Sequence, residues 1–109
     1  MRRNFIAGEW LASDDALENR NPSDISDLIG TYAQATTDQL ESALDSARGA
    51  QKVWQATGLE ARQTALMKIG IAMMDRADEL GELLSREEGK PRAEGRGEIY
   101  RAGQFFTYY

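Results

Sequence analysis

The stretch TTDQLESALDSARGAQKVW, residues 36–54, decides the class of fold because it changes the period of the sequence. Thr36 is followed three residues later by Gln39, which is the spacing of a capping box, in which the hydroxyl satisfies an unpaired amide at the start of a helix. Apolar side chains then recur at helical spacing along one face. They are Leu40, Ala43, Leu44, Ala47, Ala50 and Trp54. The stretch therefore predicts an amphipathic helix.

The sequence after this helix keeps a helical period to its last residues. Gly58 marks a break, and a second helix is expected from there, with a kink near Asp78 and an end at Gly89. Its apolar face consists of Leu66, Ile69, Met73 and Ala77. Pro91 suits the first turn of a last helix, where its missing N–H costs nothing. Three or four helices are therefore expected from residue 36 onward.

The residues before position 36 have the patterns of short strands and turns. The segment NFIAGEWL, residues 4–11, alternates loosely and predicts a short strand or a tight hairpin. The segment ASDDALENRNPSD, residues 12–24, predicts a polar connection with a turn at its end, and DLIGTYAQA, residues 27–35, predicts a second short strand. The expected fold is mainly α with a short N-terminal β-hairpin or strand pair, with strands in residues 1–35 and helices in residues 36–109.

The composition excludes several classes of protein. Thirteen Lys and Arg residues against 18 Asp and Glu residues give a formal net charge of -5, which argues against nucleic acid as a partner. The sequence contains no His and no Cys, which excludes disulfides, Cys/His zinc sites, thiol nucleophiles and imidazole catalysis. No apolar run approaches the roughly 18 residues of a membrane span, and the first residues lack the apolar core of a signal peptide. We therefore expect no membrane partner and a cytoplasmic location.

Two glycine motifs invite a nucleotide-binding interpretation. Gly95-Arg96-Gly97 would need a further glycine at the position of Tyr100 and a preceding strand. Gly89-Lys90 resembles the end of a nucleoside-triphosphate loop, but Leu84 and Pro91 stand where that loop needs Gly and Ser or Thr. The missing residues are the ones that hold phosphates, so neither motif predicts a nucleotide site.

Acidic side chains form the remaining candidates for chemistry. Asp14-Asp15 and Glu87-Glu88 are adjacent pairs, and Asp24 with Asp27 has a spacing that could bracket a cation. Neighbouring acids on a helix point in different directions, so Glu87-Glu88 is a poor acid–base couple, and solvated loop acids account for the others. We therefore predict no catalytic, no cofactor-binding and no metal-binding residue in this chain.

Five segments, in order, carry a resemblance to a known family. They are NFIAGEW, the Asn-Pro turn of NPSDISDLIGTYAQAT, the helix with Trp54, the Arg62 that follows the turn, and the segment REEGKP. Together they resemble the N-terminal segment of the NAD(P)-dependent aldehyde dehydrogenase superfamily over nearly the whole chain. The segments SREEGKP and EGRGEIYRAGQFF are most similar to the bacterial branch that acts on semialdehydes such as α-ketoglutaric semialdehyde.

The resemblance implies a parent enzyme that oxidises an aldehyde to a carboxylic acid by hydride transfer to NAD or NADP. The Cys nucleophile, the Glu base, the Asn oxyanion donor and the nucleotide contacts of the family belong to a downstream part, so none of them maps onto this sequence. The chain is therefore expected to be an inactive N-terminal fragment of the α/β aldehyde dehydrogenase fold. Some family members also hold a monovalent cation through backbone groups at the positions of Arg20 and Glu87, with further ligands from elsewhere.

The last residues raise a separate expectation about partners. Four aromatic rings stand among the last five residues, namely Phe105, Phe106, Tyr108 and Tyr109. In family members the last helix continues, and later chain would cover these rings. The resemblance therefore predicts self-association of the fragment through its C-terminal helix. The alternative is a free-standing acidic helical module that uses the exposed rings to bind another protein.

Overall fold

Four short strands precede four helices in the computed structural model, which describes residues 1–109. The strands are β1 (Asn4–Ile6), β2 (Glu9–Leu11), β3 (Ala16–Asn21) and β4 (Asp24–Ala33). The helices are α1 (Thr37–Ala56), α2 (Leu59–Asp75), α3 (Ala77–Glu88) and α4 (Arg92–Tyr108). The expectation of a mainly α fold with short strands at its N-terminus is confirmed.

The strand predictions need one correction. The segment predicted as a polar connection contains β3, and β4 starts three residues earlier than the predicted second strand, so the chain has two hairpins instead of one. β3 and β4 are joined by Pro22 and Ser23, and a connection this short makes the pair antiparallel. The sequence of β3, ALENRN, lacks the apolar alternation that marks a strand, and all six of its residues are exposed or half-buried.

One compact unit comprises residues 1–19 and 28–56. Its β1–β2 hairpin pairs Asn4 with Leu11 and Ile6 with Glu9, and the turn between them is Ala7-Gly8. Both turn residues have positive φ angles, 53° and 88°, as the twist of a two-residue hairpin turn requires. An isolated bridge between Arg2 and Tyr32 adds the chain's first residues to the edge of β4. The unit therefore contains strands of both hairpins.

Helix α1 belongs to the same unit and begins as predicted. The Thr36 Oγ1 accepts a hydrogen bond from the Gln39 amide at 3.2 Å. The Gln39 side chain does not reach back to Thr36 as in a full capping box, because it donates to the Ala12 carbonyl at 2.9 Å and accepts from Asn4. No residue of α1 is buried. The predicted apolar face therefore exists on the helix but stays largely uncovered.

The second unit comprises residues 20–27 and 57–109, and its helices approach each other through glycines. A Cβ on Gly81 would lie 2.5 Å from the Arg96 Cα, and a Cβ on Gly95 would lie 2.5 Å from the Gly81 carbonyl oxygen. Farther along α4, a Cβ on Gly103 would lie 2.8 Å from the Gly70 oxygen. Real Cβ atoms do not fit at such distances, so α4 packs against α2 and α3 by close backbone contact.

The helix boundaries of this unit follow the predicted signals with small shifts. The predicted break at Gly58 is confirmed, since α2 begins at the next residue. The predicted kink near Asp78 is a true boundary at Arg76, where α2 ends and α3 begins. Gly89 ends α3 in the left-handed conformation with φ of 77°. Pro91 precedes α4 as its N-cap residue instead of lying inside the first turn.

The division predicted at residues 35 and 36 separates strands from helices along the chain, but as a domain boundary it stays a prediction. Few apolar side chains are buried within either unit: Ile6, Ala33 and Ala77 are the buried hydrophobic residues. None of the four helices is both long enough and apolar enough to span a lipid bilayer.

Candidate functional site

The most prominent surface feature is a set of aromatic rings at the end of α4, which we call the aromatic face. It consists of Phe105, Phe106, Tyr108 and Tyr109, which are 56%, 37%, 81% and 75% exposed. The rings of Tyr108 and Tyr109 meet edge to face with centroids 5.0 Å apart, and the Arg101 guanidinium lies 6.0 Å from the Phe105 centroid. Side chains this large are usually covered, so the face indicates an interaction surface.

Two open grooves run along the aromatic face. The larger, of about 590 Å³, is lined by Arg101, Gln104, Phe105, Tyr108 and Tyr109. The smaller, of about 260 Å³, has only apolar lining and lies between α2 and α4, where Leu66 contributes beside Phe105, Phe106 and Tyr109. Phe105 and Tyr109 line both grooves because residues four apart share one side of a helix. The arrangement suits an apolar partner segment.

A second cluster joins the tip of the β3–β4 hairpin to the end of α3. The Arg86 guanidinium donates to both carboxylate oxygens of Asp27, at 2.6 and 2.9 Å, and the Asn21 side-chain amide donates to the same carboxylate at 3.3 Å. The Ser23 hydroxyl donates to the Gly89 carbonyl at 3.4 Å. The pKa of Asp27 lies below its ordinary value, mainly because of the hydrogen bonds from Arg86 and, to a smaller extent, because of the hydrogen bond from Asn21. This cluster anchors the hairpin tip through the ion pair of Arg86 with Asp27.

The Asp27 pair gives a prediction about pH. Because folding lowers the pKa of Asp27, the pair contributes stability above the ordinary aspartate value of about 3.9, and the contribution disappears as the pH falls through the folded-state pKa. Asp27→Asn should therefore lower the stability at pH 6 and weaken the rise in stability between pH 2 and pH 5. Urea unfolding across this range measures both effects. Asp14→Asn, which removes an exposed carboxylate without an ion pair, is the control, and equal pH profiles for the two variants would contradict the prediction.

The glycine motifs have structural roles. Gly95-Arg96-Gly97 lies inside α4, where Gly95 is buried against α3 and the Arg96 Nε donates to Asp78 at 2.5 Å. Gly89 terminates α3, and the Lys90 ammonium binds Glu88 and Glu98 at 2.5 and 2.7 Å. Gly89 and Gly95 therefore serve helix termination and helix packing, and the absence of a nucleotide site at these motifs stays a prediction.

The acidic candidates are distributed among local contacts. The Asp15 carboxylate accepts from the Ala16 amide, and the Asp24 carboxylate accepts from the amide and hydroxyl of Ser26. No group of three or more Asp and Glu side chains is placed to hold a metal ion. The Arg20 guanidinium donates to the Ile25 carbonyl in the hairpin tip, and Glu87 lies in the last turn of α3. The backbone cation site that the family resemblance implies at these two positions stays a prediction.

The helical pattern predicts that Arg62 faces outward from α2, and the structure corrects this prediction. The Nε of Arg62, in the first turn of α2, is buried and has no hydrogen-bond partner. The periodicity of α2 does not reveal this burial, because it depends on how the neighbouring side chains pack around the Nε.

Solved structures share this fold over almost the entire chain. A 1-pyrroline-5-carboxylate dehydrogenase from Thermus thermophilus matches 99% of the chain with a TM-score of 0.93 and 33% identity. An NADP-dependent enzyme from Escherichia coli matches 97% with a TM-score of 0.91 and 33% identity. The chain covers 21% and 22% of these two structures. The fold therefore defines the class, which is the N-terminal part of a dehydrogenase fold.

The sequence comparisons identify the family within this class. The model of the aldehyde dehydrogenase family matches residues 10–109. An α-ketoglutarate semialdehyde dehydrogenase from Haloferax volcanii is 34% identical over 98% of the chain, and the NADP(+) succinate-semialdehyde dehydrogenase of E. coli is 34% identical over 96%. The chain belongs to the aldehyde dehydrogenase family. It spans 22–23% of the length of these two relatives.

Proposed function

We propose that this chain is the N-terminal part of an enzyme that oxidises an aldehyde to a carboxylic acid with NAD or NADP. The observation that carries the proposal is the match of the family model to residues 10–109. Several relatives are named for semialdehydes, which supports a semialdehyde as the substrate. The nucleophile, the base and the nucleotide site are assigned to chain outside these residues, because this sequence has no Cys and its glycine motifs serve helix packing and termination.

The role of these residues in the enzyme is structural. Helices α2, α3 and α4 form a closely packed layer through their glycines, and the aromatic face extends from this layer as a docking surface. We propose that residues 36–109 are the helical part of the cofactor-binding domain, without residues that contact the cofactor. A cytoplasmic location is part of the proposal, supported by a sequence that has no Cys and needs no oxidising compartment.

For the chain by itself, we propose self-association through α4. The support is the exposure of Phe105, Tyr108 and Tyr109, which a second copy would reduce. A free-standing interaction module would present a similar face, so the face alone does not separate the two functions. The mass and the activity of the native gene product separate them.

An absorbance assay tests the enzymatic proposal. The native gene product, incubated with succinic or α-ketoglutaric semialdehyde and NAD or NADP, should produce an aldehyde-dependent rise in NAD(P)H absorbance. The 109-residue chain alone should produce none, because a thiol nucleophile is missing. An inactive gene product with both cofactors and a panel of aldehydes would contradict the proposal. Activity of the 109-residue chain would contradict the assignment of the chemistry to other residues.

A further inference from the structure

Arg62 lacks the ion pair that four other arginines of the second unit form. Arg76, Arg86, Arg92 and Arg96 each form an ion pair with a carboxylate. The Nε of Arg62 is buried and makes no hydrogen bond. The side chain as a whole is half-buried, and a partly desolvated guanidinium gains from a paired carboxylate, so we expect an acceptor for its remaining nitrogens outside residues 1–109.

The packing of α2 on α4 shows where that acceptor should lie. The two helices run antiparallel: Met74 lies against Gly103, Gly70 lies against Gly103, Phe106 and Thr107, and Leu66 shares a groove with Tyr109. Each helical turn toward the start of α2 therefore corresponds to one turn toward the end of α4. Arg62 lies one turn before Leu66, so its counterpart falls one turn after Tyr109, at roughly position 113.

We propose that Arg62 and the small apolar groove form one docking site, occupied in the enzyme by a helical continuation of α4 with a carboxylate opposite Arg62. The inference rests on the proposed function, because the relatives are four to five times longer than this chain. The groove lined by Leu66, Phe105, Phe106 and Tyr109 takes the apolar side of that segment. The guanidinium selects a carboxylate because it offers several fixed donors and a positive charge. A covalently attached segment also reaches the site at high effective concentration.

A set of tailed chains tests the register and the chemistry together. The 109-residue chain is extended by about 12 residues of Ala and Lys, enough for roughly three helical turns, with one glutamate at position 113. One matched tail carries glutamine at 113, and another carries its glutamate at 115, which faces away from α2. We expect the glutamate at 113 to raise the Tm by about 5 °C over both control tails. Equal Tm values for the three tails would overturn the proposal.

Substitution of Arg62 gives the second half of a double-mutant cycle. Arg62→Met keeps much of the apolar stem but removes the charge, so the advantage of the glutamate at 113 should vanish, and Arg62→Lys should restore part of it. An advantage that persists in Arg62→Met would overturn the proposal. A self-associated form of the untailed chain that dissociates on Arg62→Met would also overturn it, because the partner of Arg62 would then be a second copy. The cycle uses neither aldehyde nor cofactor, so its outcome is independent of the enzymatic assay.

Discussion

Gly81→Ala should lower the free energy of unfolding of the second unit by about 1–3 kcal/mol. In a domain of this size, each kcal/mol lost lowers the Tm by about 4–8 °C. The added methyl group would lie 2.5 Å from the Arg96 Cα and 2.6 Å from its nitrogen, so α3 and α4 must separate. Both contacts are with backbone, which cannot move aside as a flexible side chain can. The loss is large for a chain with so few buried apolar side chains. Thermal unfolding followed by circular dichroism measures it.

Gly97→Ala is the matched control for this prediction. Gly97 is in α4, one residue after Arg96, and a Cβ there would have no atom within 4 Å. Without a steric cost, the better helix propensity of Ala should stabilise the chain by up to about 1 kcal/mol. Opposite signs for Gly81→Ala and Gly97→Ala are therefore expected. A stabilising effect of both substitutions would show that α3 and α4 do not pack through glycine.

These glycines also show the limit of the sequence reasoning. The missing third glycine argues against a phosphate loop at Gly95 and Gly97, but the sequence does not show which of the two glycines faces another helix. In the structure Gly95 is buried against Gly81 and Ser85, whereas Gly97 is open. The recurrence of Gly95 and Gly103 eight residues apart, on one side of a helix, was the available signal. This spacing predicts a helix contact only when a neighbouring helix carries small residues at the corresponding positions along its axis, as Gly81 and Gly70 do here.

Local sequence signals predict where the helices begin and end more accurately than they predict which side chains are buried. Thr36, Gly58 and Gly89 mark helix ends that depend on backbone groups within a few residues, and the structure confirms all three. Strand β3 was missed because its pairing with β4 is made by the backbone, while its side chains carry no apolar pattern. Periodicity predicts the apolar face of α1, and the number of aromatic residues among the last five predicts the rings at the end of α4. What covers either surface cannot be inferred from the residues of that surface.

The isolated chain should self-associate through the aromatic face, and the four rings of that face should supply most of the free energy of association. From their exposed fractions, the four side chains leave roughly 500 Å² uncovered, or about 12 kcal/mol per copy as an upper bound at 25 cal/mol per Å². Two copies would bury about 1,000 Å² in a symmetric contact, near the lower limit for a specific interface. The unpaired edges of the two-stranded sheets add a further tendency to associate. We therefore expect a weak dimer that forms at protein concentrations on the order of 100 µM.

Light scattering during size-exclusion chromatography tests this association. Phe105→Ser combined with Tyr109→Ser removes two rings that line both grooves and should yield a monomer. Ile25→Ser removes a side chain of similar exposure on β4 and should leave the dimer intact. A monomeric wild-type chain at this concentration, or a dimer that survives loss of both rings, would contradict the proposal.

The mass of the protein produced from the native gene tests the central claim most directly. If the chain is the N-terminal part of an aldehyde dehydrogenase, intact mass spectrometry of the native product should give about four to five times 12.1 kDa, since the chain covers 22–23% of the two semialdehyde dehydrogenases described above. A mature native product of 12.1 kDa would contradict the claim and favour the free-standing interaction module.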